Sequence, residues 1–133
     1  MSNHTGSVVV LFFIIFNKEI IMYENIVNAE DVIGVDVENP QGEDLGTVEA
    51  LVLDKLKGNV VYVVLSFGGF LGMGDKLFAM PWHIFSYSPE REKFVISIDK
   101  EKLKTSPGFD KDHWPDMTSP EWNTTIKAYY ENY

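Results

Sequence analysis

Cysteine is absent from the 133 residues, which excludes a disulfide framework and a thiolate metal centre and leaves stability to an ordinary apolar core. Positive charge is scarce: 11 Lys and Arg stand against 20 Asp and Glu, a formal charge of −9. A surface of that sign repels phosphate backbones, so no direct nucleic-acid binding is expected. Long apolar runs are lacking too. The longest, Val8 to Phe16 (VVVLFFIIF), has nine residues, against the roughly twenty that a membrane-spanning helix needs, so no membrane span is expected. What the chain does have is apolar material in quantity, 45% hydrophobic residues with 9 Phe, 6 Tyr and 3 Trp. That is too rich for a disordered chain and fits one folded domain with an acidic surface.

Residues 1–21 differ in texture from the remainder of the chain. The nine-residue run has the length of a secretory core, but no Lys or Arg precedes it and no small-residue cleavage site comes after it. It has the β-branched composition of an extra strand. The reading adopted is translated upstream sequence, a non-domain segment with the natural start at Met22. The glycosylation pattern occurs at Asn3-His4-Thr5 and Asn123-Thr124-Thr125 and is read as chance, because secretion is unsupported.

From Met22 the pattern is one of short strands. Ile33, Val35 and Val37 alternate with Gly34, Asp36 and Glu38, a half-buried strand. Asn39-Pro40-Gln41-Gly42 makes a turn, and Thr47 to Asp54 is a second strand. After the Lys55–Asn59 hairpin loop, Val60 to Phe67 is apolar on both faces and so central or doubly covered. Gly68 to Gly74 places four glycines in seven residues and reads as a loop with unusual dihedrals. Lys76 to Met80, Ile84 to Tyr87 and Phe94 to Ile98 complete six strands, broken by Pro81 and by a turn at Ser88-Pro89-Glu90-Arg91. Hairpin-length turns without crossover helices predict an all-β fold, a small antiparallel barrel or compact sandwich. Lys100 to Lys104 makes one helical turn. Beyond it, Ser119-Pro120 reads as a helix start, with Trp122, Ile126, Tyr129 or Tyr130, and Tyr133 at helical spacing. So aromatic an extension is expected to dock on the barrel, on another copy or on a partner. The organisation predicted is residues 1–21 outside the domain, a barrel over 22–104 and an extension with a short helix over 105–133.

These residues carry a resemblance. Asp31-Val32-Ile33-Gly34 with GEDLGT (42–47), Val63 to Phe67 leading into GGFLGMGDK (68–76), and Met80-Pro81-Trp82 resemble the PRC-barrel domain family. That family is named for the cytoplasmic domain of the photosynthetic reaction-centre H subunit and includes the C-terminal domain of a ribosome maturation factor. The segment from Pro107-Gly108-Phe109-Asp110 through Trp114-Pro115-Asp116-Met117 to Trp122 and Tyr129-Tyr130 looks like the extension of its stand-alone prokaryotic members. The resemblance implies a small antiparallel β-barrel of about six strands, used as an adaptor that docks on protein or ribonucleoprotein partners and self-associates. It implies no known chemistry, and fold alone does not fix function. Neither specific role is expected here, because the photosynthetic one uses a long membrane-spanning helix, which the nine-residue run is too short to make, and the ribosomal one uses a second domain.

Some motifs hold chemical promise, and each has a plainer reading beside it. Gly69 and Gly74 have phosphate-loop spacing, but Asp75 stands where a lysine is needed and no helix comes after it. Ser66 lacks the first glycine of a nucleophile elbow and reads as a strand serine. His83, beside Trp82, is a histidine without a visible catalytic partner. Asp110, Asp112, His113 and Asp116 form the one cluster with metal-ligand chemistry, yet Trp114 and Pro115 occupy positions where a calcium loop needs an oxygen ligand and a glycine. The expectation is therefore a non-enzymatic, cytoplasmic, homodimeric interaction module without cofactor. Its contact surface is predicted at Phe70, Leu71, Met73, Trp82, Trp114, Trp122 and Tyr130. The alternative is a small-molecule or metal site near His83 or Asp110–Asp116.

Overall fold

A computed structural model of the chain describes residues 23–70 and 74–133. A helical turn, α1 (Ala29–Val32), leads into β1 (Asp36–Glu38), β2 (Asp44–Asp54), β3 (Asn59–Phe70) and β4 (Gly74–Pro81). A 3-10 turn (Trp82–Ile84) then precedes β5 (Ser86–Ser88) and β6 (Lys93–Val95), and two helices complete the chain, α2 (Lys100–Lys104) and α3 (Pro120–Tyr130). The six strands form one sheet in the order β4-β3-β2-β1-β6-β5. The mostly β, six-stranded architecture with a short C-terminal helix agrees with the sequence reading.

Two features of the expected barrel are corrected. The sheet is mixed, because β1 and β6 run parallel, with Val37 opposite Phe94 and Glu38 opposite Val95. The cause is the passage from β4 to β5: the break at Pro81 and the 3-10 turn carry the chain onward without the reversal that a hairpin would give. The sheet is also not closed by hydrogen bonds, since β4 and β5 are its two edges and are not paired. It must nevertheless curl. Laid flat, edges five strand spacings apart would be separated by about 24 Å. Four residues, Trp82–Phe85, join Pro81 to Ser86, and five Cα steps reach at most about 18 Å even fully extended. The edges are thus drawn together into an open barrel.

Strand limits shift locally. Ile33 is 42% exposed and lies before the first strand, which is shorter than the alternation of Ile33, Val35 and Val37 predicted. Gly68, Gly69 and Phe70 continue β3 past an irregularity in pairing, so the expected seven-residue loop is shorter, and Leu71, Gly72 and Met73 lie outside the described residues.

Between β1 and β2, Asn39 holds the turn from the inside at 1% exposure. Its Oδ1 accepts from the Gln41 and Glu43 N–H groups at 3.1 and 2.9 Å, and its Nδ2 donates to Glu43 Oε1 at 2.7 Å and to the Ile98 carbonyl at 3.3 Å. Gly46 in β2 has φ +108°, and a Cβ there would overlap the Ser66 carbonyl oxygen of β3. Only glycine fits that approach. Glu38, 3% exposed, is clamped by the β5–β6 hairpin: Arg91 Nη1 lies 2.7 Å from Oε1, Arg91 Nη2 donates to Oε2 at 3.0 Å, and Lys93 Nζ stands 3.5 Å from Oε2.

The core contains Val37, Leu45, Val48, Val63, Leu65, Phe78, Met80 and Ile96, each at most 1% exposed. Burial of each large aliphatic side chain there contributes about 1.5–3 kcal/mol. Consecutive residues Tyr62 to Phe67 are all buried, and successive strand residues point to opposite faces, so β3 is covered on both. The second cover is the extension. Tyr62 meets Trp122 edge to face at 5.1 Å and donates its hydroxyl proton to Asn123 Oδ1, while Ile126 and Tyr130 are 1% and 0% exposed. Of the three docking possibilities for this segment, the structure shows the first: it packs on its own sheet.

Candidate functional site

Two exposed aromatic residues, Trp82 and Tyr87, gather where the chain crosses from one sheet edge to the other. The break at Pro81 sets Trp82 and His83 on the 3-10 turn, and Phe85 N–H donates back to the Trp82 carbonyl at 3.1 Å. The turn after β5 aligns Tyr87 with Phe94 as a cross-strand pair. Three rings then surround Phe94 edge-on: Trp82 at 6.0 Å, Phe85 at 6.1 Å and Tyr87 at 5.1 Å. Phe94 itself is 7% exposed, whereas Trp82 and Tyr87 keep 40% and 44% of their surface in solvent. Ring contacts of this kind fix orientation, so the two aromatics are presented as a preset surface. His83 is exposed and has no hydrogen-bond or ion-pair partner among the described residues.

A second feature lies at the other edge. A cleft of about 350 Å³ is lined by Gly74, Asp75, Lys76, Phe109, Asp110 and His113, among others. It forms because Phe109 bridges to Leu77 and brings the start of the extension against β4. Phe109 also tilts against Trp114 at 5.1 Å, and Trp114 is 44% exposed. Of the four residues of the acidic cluster, Asp110 and His113 reach the cleft, 3.8 Å apart and both open to solvent. Asp116 turns instead to Thr118, whose hydroxyl and N–H hydrogen-bond its carboxylate and hold its pKa below the usual range. Asp112 is exposed. Among the described residues no three His, Asp or Glu side chains are gathered as a metal ion would require.

The predicted surface residues thus separate. Trp82 and Trp114 are exposed; Trp122 is half-buried against Tyr62; and Tyr130 is fully buried, out of reach of any partner. The Phe70 backbone pairs with Gly74, while its side chain, like Leu71 and Met73, lies outside what is described. Tyr87 was missed by the sequence reading. Its signal was available: a hairpin closed around Pro89 places Tyr87 opposite Phe94, which makes a short edge strand with an aromatic pair. Ser66, as read, is a strand serine, and its Oγ donates to Asp75 Oδ2 at 3.0 Å. Asn123 is committed to the fold, donating to the Met117 and Ser119 carbonyls at 2.9 and 2.8 Å.

No helix of the described residues is long and apolar enough to cross a membrane. Comparison with known protein families matches residues 24–103 to the PRC-barrel domain, more than half of the chain. No curated protein matches it.

Proposed function

The chain belongs to the PRC-barrel domain family, and on that premise we propose that it is a non-catalytic interaction and assembly module, working in the cytoplasm as a homodimer. The observation that carries the reading is the pair of exposed aromatics, Trp82 and Tyr87, held by Phe94 beside the open sheet edge. Preset aromatic side chains that stay wet in the free chain are the groups that contribute most when a partner covers them. The acidic rim expected of a molecule with charge −9 selects against anionic partners. The small-molecule or metal reading is weaker, because His83 and the Asp110–His113 pair lie in different places and neither assembles a site with buried polar groups.

The test is the native size of the full chain in intact cells, by chemical crosslinking and immunodetection, beside the double variant Trp82→Ser/Tyr87→Ser. The wild type should run above monomer size, and the variant should run at monomer size while remaining folded by circular dichroism, with a melting temperature lowered by the loss of the two ring contacts with Phe94. A monomeric wild type, or an assembly that survives both substitutions, would refute the reading.

A further inference from the structure

The two sheet edges are treated differently. The edge of β4 is occupied at Leu77, which exchanges both backbone hydrogen bonds with Phe109 at 2.9 Å, and α3 packs on the same strand. The outer edge of β5 has no strand hydrogen-bonded to it among the described residues. The ladder determines which β5 groups face outward. The Ile96 N–H donates to the Glu38 carbonyl on β1 at 3.0 Å. Residues of that parity in β6, Phe94 and Ile96, therefore address β1, and Lys93 and Val95 address β5. Their partners Ser88 and Ser86 spend their backbone groups on β6, and Tyr87 directs both its N–H and its C=O away from the sheet. Pairing ends on either side of it, because the Phe85 N–H is taken by the Trp82 carbonyl and Pro89 has no N–H.

We infer that two copies of this chain pair antiparallel across β5, about a twofold axis at Tyr87, whose N–H and C=O exchange hydrogen bonds with those of Tyr87 in the second copy. The inference rests on the interaction-module reading and names its partner. The edge offers a single complete rung, and a twofold antiparallel pair needs no more than one. A longer foreign strand would set its own carbonyls against Phe85 and Pro89, where no donor is free. The strand is also self-matched: Ser86-Tyr87-Ser88 reads the same in both directions, so the twofold places serine against serine on both sides of the tyrosines, a favourable cross-strand pair. Shortness is the guard β5 carries, since no lysine, proline or bulge lies within its three residues to block a single rung.

The contact is small. Trp82 and Tyr87 at 40% and 44% exposure bring about 60–110 Å² each, of order 300 Å² over both copies, against about 1,200–2,000 Å² in a stable complex. The dimer is accordingly weak and concentration-dependent.

The experiment is sedimentation equilibrium of the full chain from about 10 µM to about 1 mM, with amide exchange read by NMR at the same concentrations. The expected result is a rise from monomer to dimer mass, with Tyr87 amide exchange slowed at least about tenfold at the top of the range while Ser86 and Ser88 keep their rates. Tyr87→Pro removes the outward N–H and leaves both ladder bonds of β5, and it should remain monomeric throughout. Should that variant fail to fold, the wild-type amide pattern decides alone. A monomer at every concentration, or a dimer whose Tyr87 amide exchanges as in the monomer, overturns the inference. If the crosslinked size in cells nevertheless exceeds the monomer and depends on Trp82 and Tyr87, the interaction reading survives with a foreign partner; if it does not, both fall.

Discussion

Tyr130 is the side chain on which the role of the extension can be measured. It is 0% exposed, packed between Tyr129, edge-on at 4.9 Å, and Tyr133, tilted at 5.9 Å, and its hydroxyl makes no hydrogen bond of ordinary geometry, the Ser106 hydroxyl being its polar neighbour. The Ser106 hydroxyl lies nearby, but its nearest partners are the Lys102 carbonyl and the Tyr129 hydroxyl, each 3.1 Å from its Oγ. A buried, unpaired hydroxyl costs about 1–3 kcal/mol, so Tyr130→Phe should stabilise the protein by about 1 kcal/mol. Tyr130→Ala, which empties the ring site, should destabilise it by about 3–5 kcal/mol. In urea unfolding, where a chain of this size has a slope of about 1–3 kcal/mol/M, the first change raises the midpoint by about 0.5 M.

The same burial pushes the Tyr130 pKa well above its ordinary value of 10.0, with Tyr129 and Tyr133 adding to the rise and Ser106 opposing it. The native state then keeps its phenol proton where the unfolded chain has lost it. Stability is therefore full below pH 10 and falls as pH rises beyond it, by up to about 1.4 kcal/mol per pH unit for each such group. Tyr62, raised by burial as well, contributes with the same sign, so Tyr130→Phe should flatten the alkaline fall without abolishing it. A Tyr130→Phe protein less stable than the wild type by about 1 kcal/mol or more, or with an unchanged alkaline slope, would refute the argument that this hydroxyl is buried unpaired against the sheet.

Gly46→Ala forces a side chain into positive φ and against the Ser66 carbonyl; a loss of at least about 3 kcal/mol in denaturant unfolding is expected, and a cost below about 1 kcal/mol would contradict the β2–β3 approach. Glu92 holds φ +53° in the β5–β6 turn, so Glu92→Gly should raise stability by about 0.5–1 kcal/mol through relief of left-handed strain, and a lower melting temperature would count against that backbone.

Strand content was legible in this sequence because alternation and turn chemistry are local. The β-branched run Val60 to Phe67 announced a central or doubly covered strand, and Ser119-Pro120 announced the start of α3; its Ser119 Oγ accepts from the Trp122 N–H at 3.3 Å. Strand direction was not legible, since a proline before a 3-10 turn and a hairpin both read as a break in periodicity, and only the pairing of β6 with β1 separates them. The contact surface was half legible for a related reason. Aromatic content marks Trp82, Trp122 and Tyr130 alike, but helical phase turns Trp122 onto Tyr62 of β3 and leaves Tyr130 fully buried, whereas the crossing turn holds Trp82 outward. Tyr87 was passed over because its exposure depends on β5 being the last strand of the sheet, a property of topology that no local pattern records.

A contact surface at Trp82 and Tyr87 is the central claim, and its direct measurement is photo-crosslinking in living cells. Full-length chains carrying Tyr87→p-benzoylphenylalanine or Trp82→p-benzoylphenylalanine would be irradiated beside Leu56→p-benzoylphenylalanine, a control position 97% exposed in the β2–β3 turn. Discrete adducts heavier than the chain are predicted at positions 87 and 82 and not at 56. Equal labelling at all three positions, or none at 82 and 87, would contradict the assignment of that surface.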